Sequence, residues 1–188
     1  MALVVVVLLT VLGITAGLFD PQPYGSLLRT DNPGPRDLGA TAEVQYPQSP
    51  PWTQATSPGR YSVRLTAAYE AGEEDSAYGL AVGDGDERVV IALSPLGYVA
   101  VRSGSDSAPD YVIPWQVWPH VRSGTAENEI WVDVARDGPD ALFTIRLNRE
   151  LLWEGKVAGT TADIALWQAT YGSPATTDFR SLEWFAEP

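Results

Sequence analysis

Short runs of alternating apolar and polar residues characterise the chain between residues 78 and 103. Three such runs, at 78–82, 88–93 and 98–102, are separated by turn sequences rich in Gly, Asp and Pro. Alternation with a period of two between such turns predicts three antiparallel strands that form a meander. Because one face of a meander stays apolar, a second sheet has to cover it.

The same pattern continues from residue 61 towards the C-terminus, and no segment there shows a sustained helical period. It predicts strands at about 61–69, 78–83, 88–94, 98–103, 111–117, 128–136, 141–147, 150–157, 163–171 and 178–185. Short strands at near-regular spacing indicate an all-β fold, a two-sheet antiparallel jelly-roll sandwich.

Alternation along each strand also assigns its two faces. The predicted core consists of apolar residues at every second position: Val63, Leu65, Leu80, Val82, Val89, Ile91, Val99, Val101, Ile130, Val132, Val134, Phe143, Ile145, Ile164 and Leu166. Near the C-terminus, the core is expected to gain Phe179, Leu182 and Trp184, with a bulge between them. The opposite face is predicted to carry Arg64, Thr66, Arg102, Trp131, Asp133, Thr144, Arg146 and Trp167.

Residues 2–19 contain no charged side chain. As a helix they would be roughly 27 Å long, close to the ~30 Å hydrocarbon core of a bilayer. A cleaved signal peptide is the alternative, but no basic residue precedes the apolar run. We therefore expect a single transmembrane helix over 1–19, in which Gly13 and Gly17 form a GxxxG motif for helix packing.

Residues 20–60 hold eight of the fifteen prolines and are predicted to be an extended linker before a β-sandwich domain over 61–188. Within this linker, residues 40–46 could form a first edge strand, and Trp52 is expected to pack on the domain. Arg29 and Arg36 follow the apolar run and favour a cytoplasmic domain. An acidic β-domain that follows a single N-terminal membrane span is more often extracytoplasmic. We therefore expect the protein at the cell membrane, with its β-domain on the extracytoplasmic side.

Composition excludes several classes of function. The 188 residues have a net charge of −12, which argues against nucleic acid as a partner because phosphates require a basic surface. There is no cysteine, so disulfides and thiolate sites are excluded. His120 is the single histidine, and we expect it to be buried or to cap a turn rather than to bind zinc or haem. The acidic turns at 73–75 and 84–87 are more often solvated than calcium sites. We expect no metal and no cofactor.

Several stretches resemble motifs of the concanavalin A-like lectin/glucanase superfamily, in its laminin-G-like branch. YGLAVGD at 78–84 resembles the family's GLVFGD strand, and SPLGY at 94–98 resembles its SPDGYY turn. NEIWVDV at 128–134, FTIRLN at 143–148 with ELL at 150–152, and DFRSLEW at 178–184 are similar to NRLRVEV, LYVNGQLV and FDNFRV. The resemblance covers roughly residues 61–185 and implies the fold, which lectins, hydrolases and inert modules share.

Glucanases of that superfamily carry a cluster of acids on one strand, because two carboxylates must flank the glycosidic bond. The nearest match here is Glu127 and Glu129 with Asp133, and no third acid follows at the required step. We therefore expect no catalytic residues and no enzymatic activity.

Five residues are candidates for a binding surface: Trp131, Trp167, Arg102, Arg146 and Asp133. Tryptophan and arginine are typical anchors of protein interfaces, and tryptophan rings also stack on sugars. We favour the interface. The sequence thus predicts a non-catalytic accessory subunit of a bacterial membrane complex, with an electron-transfer complex as one candidate and with lipid contacts through residues 2–19. The alternative is a membrane-anchored carbohydrate-binding module, and a weaker one is a glycoside hydrolase relative.

Overall fold

The computed structural model describes residues 20–52, 58–84, 87–104, 110–158 and 163–187. Its regular elements are β1 (Ser26–Asp31), β2 (Gly34–Leu38), β3 (Ala42–Gln48), β4 (Arg60–Gly72), β5 (Ser76–Asp84), β6 (Glu87–Leu93), β7 (Tyr98–Gly104), β8 (Asp110–Val117), β9 (Asn128–Asp137), β10 (Asp140–Leu147), β11 (Glu150–Ala158), β12 (Ile164–Thr170) and β13 (Ala175–Ala186). Within these ranges the protein is all-β, as predicted.

The strands form two antiparallel sheets. The first sheet has the order β1-β13-β4-β9-β10-β11, and β2 pairs with the same edge of β13 as β1 does. The second sheet has the order β3-β12-β5-β6-β7-β8, and it contains the predicted meander as β5, β6 and β7.

One hydrophobic core joins the two sheets, and every side chain predicted for it is buried there. Large side chains from both sheets meet in it, including Phe143 and Trp184 from the first and Leu80 and Ile91 from the second. The predicted irregularity near the C-terminus is a shift of register in β13 between Phe179 and Ser181. The alternation of apolar residues was therefore sufficient to identify the inner faces.

The segment predicted to be a linker contributes three strands to the sandwich, so the prediction of a separate linker over 20–60 is corrected. The edge strand expected at 40–46 is present as β3, but β1 and β2 were missed. Pro35 lies in β2 and Pro47 lies in β3. Both strands are at sheet edges, where a residue without an amide hydrogen is tolerated. Trp52 packs on the core as expected, with its ring 5.1 Å from that of Tyr61.

The predicted membrane anchor at 1–19, with Gly13 and Gly17, lies outside the described residues. Among the described residues, none belongs to a helix with the length and apolar character needed to cross a membrane.

A buried amide fixes one end of the sandwich. Asn128, at the start of β9, donates to the Tyr78 hydroxyl at 3.0 Å and to the Arg122 carbonyl at 2.8 Å. It also accepts hydrogen bonds from the Arg122 amide and from the Asn148 side chain. Through these bonds, the loop between β8 and β9 and the turn between β10 and β11 are held together at the same end of the molecule.

Candidate functional site

The five predicted site residues lie on two separate outer faces. Trp131, Asp133 and Arg146 are on the outer face of the first sheet, whereas Arg102 and Trp167 are on the outer face of the second. The structure therefore does not bring them together as one surface. Alternation distinguishes the inside of a strand from its outside, but it does not say to which sheet the strand belongs.

The three residues on the first sheet form a closed cluster. Trp131 is 2% exposed and lies beneath the guanidinium groups of Arg64 and Arg146, which are 6.0 and 5.3 Å from its ring. Asp133 accepts hydrogen bonds from the Trp131 indole at 2.6 Å and from the Ser62 hydroxyl at 2.5 Å, and it pairs with Arg146. The indole face needed for stacking on a ligand is covered in this cluster.

The N-terminal part of the described chain also packs on this face. Asp20 pairs with Arg149 at 3.3 Å, and the Tyr24 amide donates to the Ser62 hydroxyl at 2.7 Å. Arg60 then lies over the Tyr24 ring at 4.6 Å. The two arginines and the N-terminal segment thus cover much of this face, which is not a free binding surface.

The acidic residues considered for catalysis are held in ion pairs. Glu129 lies 3.7 Å from Arg64, which also binds Glu183, and Glu127 pairs with Arg180. His120 is exposed rather than buried, and its carbonyl accepts a hydrogen bond from Asn148 at 2.6 Å. Within the described ranges, no group of three potential metal ligands converges.

The outer face of the second sheet is concave. Neighbouring strands lie about 4.8 Å apart, so β3 and β7, four positions apart in the sheet, would be about 19 Å apart if it were flat. Arg102 on β7 nevertheless pairs with Glu43 on β3, and Arg88 on β6 hydrogen-bonds to Gln45 on β3. Such contacts require the sheet to curl, and we call the resulting hollow the groove.

Small side chains form the floor of the groove. They are Ala77, Ala81, Val90, Ala92, Ala165 and Ala169. Gly79 belongs to the same surface, opposite Ala92 on β6. A Cβ atom at Gly79 would lie 1.8 Å from the Ile91 carbonyl oxygen, so only glycine fits there. Because these side chains are short, cavities of about 320 and 130 Å³ remain above the sheet.

Trp167 lies at the centre of the groove under a polar clasp, by which we mean the Arg102–Glu43 pair. The indole is 2% exposed and donates to the Glu43 carboxylate at 2.8 Å. The Arg102 guanidinium lies 5.4 Å from the ring centre. Trp167 therefore supports the clasp and does not offer a free face to a ligand in this conformation.

Three exposed aromatic residues line the groove beside the clasp, and none of them was predicted from the sequence as a site residue. Tyr111, Trp115 and Tyr171 are 45%, 37% and 49% exposed. They border the same cavity as Glu43 and Arg102. Tyr111 and Trp115 belong to β8, whose pairing with β7 shifts register twice, so simple alternation does not predict where their side chains point.

The electrostatics at Tyr171 keep its hydroxyl protonated. Burial and the nearby Glu43 carboxylate raise the pKa of Tyr171 to about 12. The hydroxyl, already protonated at neutral pH, therefore stays a hydrogen-bond donor well into the alkaline range, next to the acceptor Glu43 and the donor Arg102. Aromatic faces with a few polar groups in a concave surface are typical of small-ligand sites.

Comparisons with known proteins show the fold only. No family model matches the sequence, and no curated protein matches it either. The transglycosylase Crh5, solved in complex with NAG, has a TM-score of 0.53 at 8% identity, over 90% of this chain and 89% of that one. GH43B of a Bacteroides ovatus xyloglucan PUL has a TM-score of 0.52 at 12% identity, over 84% of this chain and 34% of that one.

A third similar structure is botulinum neurotoxin type C, solved in work on cell entry through two ganglioside molecules. Its TM-score is 0.52 at 11% identity, over 88% of this chain. The chain spans about two fifths of the length of the neurotoxin chains that it matches, 42% for this one. At such low identity, the similarity concerns the arrangement of strands and not the binding residues.

Proposed function

We propose that the protein is a non-catalytic carbohydrate-binding module of the concanavalin A-like type, and that its groove on the second sheet holds the glycan. The observation that carries the proposal is the set of exposed rings of Tyr111, Trp115 and Tyr171 next to the Arg102–Glu43 clasp. The apolar C–H face of a sugar ring stacks on such rings, and the clasp supplies a donor and an acceptor for hydroxyl groups. The similar folds of glycan-related proteins support this choice over the accessory-subunit hypothesis.

The charge of the molecule favours a neutral glycan as the ligand. The net charge is −12, and Glu43, Asp75 and Asp163 border the cavities of the groove. A polysaccharide rich in carboxylates or sulfates would be repelled by this field. Binding to a neutral glycan should instead change little with salt concentration, because it rests on stacking and uncharged hydroxyl groups.

A glycan array followed by calorimetry with the full chain tests the proposal. We expect Trp115→Ala and Tyr171→Ala each to weaken binding by about tenfold, the loss of one good aromatic contact. Leu28→Ala is the matched control, since Leu28 is 51% exposed but lies on β1 of the other sheet. Failure to bind any glycan, or equal losses in all three variants, would reject the groove as the site.

The absence of turnover is part of the same proposal. Incubation with the bound glycan should yield no shorter products and no transfer products. Glu129→Gln separates this from the hydrolase alternative, because Glu129 is the acid that the sequence places nearest to a catalytic position. Products that form with the natural chain and disappear in this variant would identify an enzyme.

The accessory-subunit hypothesis is a second candidate, supported by the edge strand β1. Leu27 and Leu28 are 52% and 51% exposed there, and an edge strand offers unpaired backbone groups to a partner. Co-purification in a fixed ratio with other membrane proteins, reduced by Leu27→Glu with Leu28→Glu, would support it. The anchor at 1–19 and the extracytoplasmic location stay predictions, which carbonate extraction and protease protection of intact cells would test.

A further inference from the structure

Exposed apolar side chains are concentrated at one end of the sandwich. Leu96, Tyr98, Val117 and Leu151 are 48%, 39%, 65% and 56% exposed, and we call these four residues the apolar rim. Trp115 and Tyr171 border it from the groove. Single exposed apolar residues are ordinary, but a cluster on one surface indicates a contact with an apolar or interfacial partner.

Hydrogen bonds show that the four residues share one end although they come from both sheets. Leu96 lies in the turn between β6 and β7, and Tyr98 pairs directly with Val117. The Trp118 amide donates to the Gly97 carbonyl at 3.2 Å, which joins the loop after β8 to this turn. The bond from Asn148 to the His120 carbonyl joins the turn before Leu151 to the same loop. The rim is thus built on a connected framework.

The described chain begins at this same end. Asp20 pairs with Arg149, which lies in the turn immediately before β11. The Tyr24 amide is bound by Ser62, so the segment is fastened to the first sheet within a few residues. The uncharged run at 2–19 ends directly before Asp20. If that run enters a bilayer, the attachment leaves no long tether, and the apolar rim is the end that meets the lipid.

We propose that the apolar rim is a lipid-contacting surface that seats the sandwich on a bilayer, with Tyr98 at the level of the headgroups. Tyrosine is enriched at that level, and leucine and valine side chains reach the boundary of the acyl chains. The acidic turn at 73–75 lies at the same end and would be repelled by anionic lipids. The surface therefore suits a zwitterionic layer. This inference does not depend on glycan binding in the groove.

Labelling with an environment-sensitive fluorophore tests the proposal, since the chain has no cysteine of its own. Single variants Leu96→Cys and Val117→Cys place the label on the rim. Leu28→Cys is the matched control, equally exposed but next to the residue that pairs with Phe185 near the opposite end. The full chain is reconstituted in phosphatidylcholine vesicles. Both rim labels should shift to shorter wavelengths and be quenched by lipids with a quencher near the headgroup, and the control label should not.

Three results would overturn the proposal. The first is that, with the protein bound to the vesicle, the emission of the rim labels indicates as much exposure to water as that of the control label. The second is a full chain that does not float with phosphatidylcholine vesicles at all. The third is rim labels that are already shielded without lipid, which would indicate contact with a second copy of the chain.

A charged variant distinguishes this inference from the proposed function. Val117→Glu with Leu151→Glu should abolish the quenching of a label at Tyr98→Cys, because carboxylates do not enter the boundary of the acyl chains. The same variant should keep its thermal midpoint and its glycan affinity, since Val117 and Leu151 are exposed and do not line the cavities that Trp115 and Tyr171 border. Quenching that persists in the variant rejects the lipid-contacting rim, whereas loss of glycan binding alone concerns only the groove.

Discussion

The two outer faces of the sandwich carry the same arrangement of side chains with opposite consequences. On the first sheet, the Trp131 indole donates to Asp133 at 2.6 Å and lies 5.3 Å from Arg146. On the second sheet, the Trp167 indole donates to Glu43 at 2.8 Å and lies 5.4 Å from Arg102. Both indoles are 2% exposed. On the first sheet the cluster forms part of a covered surface, whereas on the second sheet the Arg102–Glu43 pair spans the groove.

The distance between the strands accounts for the difference. Trp131 and Asp133 are on β9 and Arg146 is on the neighbouring strand β10, so a second arginine and the N-terminal segment pack closely around them. Glu43 and Arg102 are four strands apart, and between them lie alanines and a glycine. The Glu43 side chain stays 39% exposed, whereas that of Asp133 is 5% exposed. The local motif alone therefore does not define a binding site.

The largest expected effect is on stability at the first face. Asp133→Ala leaves the Arg146 charge and the Trp131 indole without their partner in a buried place, so we expect a loss of about 3 kcal/mol in the free energy of unfolding. Glu43→Ala also removes the partner of an arginine and of the Trp167 indole, but the Glu43 side chain is 39% exposed, so water can replace its carboxylate and we expect a loss of only about 1 kcal/mol. Urea denaturation of both variants measures the difference, and equal losses would contradict the comparison.

A second effect concerns the floor of the groove. Gly79→Ala forces a methyl group against the Ile91 carbonyl, which we expect to cost about 2 kcal/mol by overpacking. Gly172→Ala is the control, because a Cβ atom there has no neighbour within 4 Å. This control should change the free energy of unfolding by less than about 0.5 kcal/mol. A neutral Gly79→Ala would mean that the sheet can relax and that its curvature is not fixed.

The sequence predicted the fold better than the site, for a physical reason. A core position needs only an apolar residue in the right phase, so Val132 and Leu166 were placed correctly by alternation. The strand β1 escaped prediction because its side chains are largely exposed and its sequence mixes leucines with charges. Curvature of a sheet leaves no local signal, and neither the Arg102–Glu43 contact nor the exposure of Tyr171 could be derived without it.

The clasp offers a sharper test of the comparison. Arg102→Ala removes the cover from Trp167, so we expect acrylamide to quench the fluorescence of this indole more strongly, with a stability loss below about 1 kcal/mol. Trp167→Phe is added to the Arg102→Ala variant as a reference. Subtracting the fluorescence of this double variant from that of Arg102→Ala leaves the signal of Trp167. Arg146→Ala on the other face should leave Trp131 protected, because Arg64 still lies over it. An equal increase in quenching for Arg102→Ala and Arg146→Ala would show that the two indoles are protected to the same degree, which would contradict the comparison.

The smallest expected effect is a pH dependence of the free energy of unfolding that arises from Tyr171, beside the groove. The folded protein raises the pKa of Tyr171 from its ordinary value of 10.0 to about 12, chiefly through burial. A group whose pKa is higher in the folded protein contributes its full stabilisation at a pH below its pKa in the unfolded chain. That contribution is lost as the pH rises towards the pKa in the folded protein. The free energy of unfolding of the natural chain should therefore fall more steeply above about pH 10 than that of Tyr171→Phe.

Absorbance titration gives the direct measurement of this tyrosine. Subtracting the tyrosinate signal of Tyr171→Phe from that of the natural chain should leave one ionisation with a midpoint near pH 12. A bound glycan that stacks on Tyr171 would exclude more water and move this midpoint upwards, because desolvation disfavours the charged form. A midpoint near 10 would mean that neither burial nor the Glu43 carboxylate acts on the Tyr171 hydroxyl. A midpoint that stays unchanged with saturating glycan would place the sugar elsewhere, even if Trp115→Ala still weakened binding.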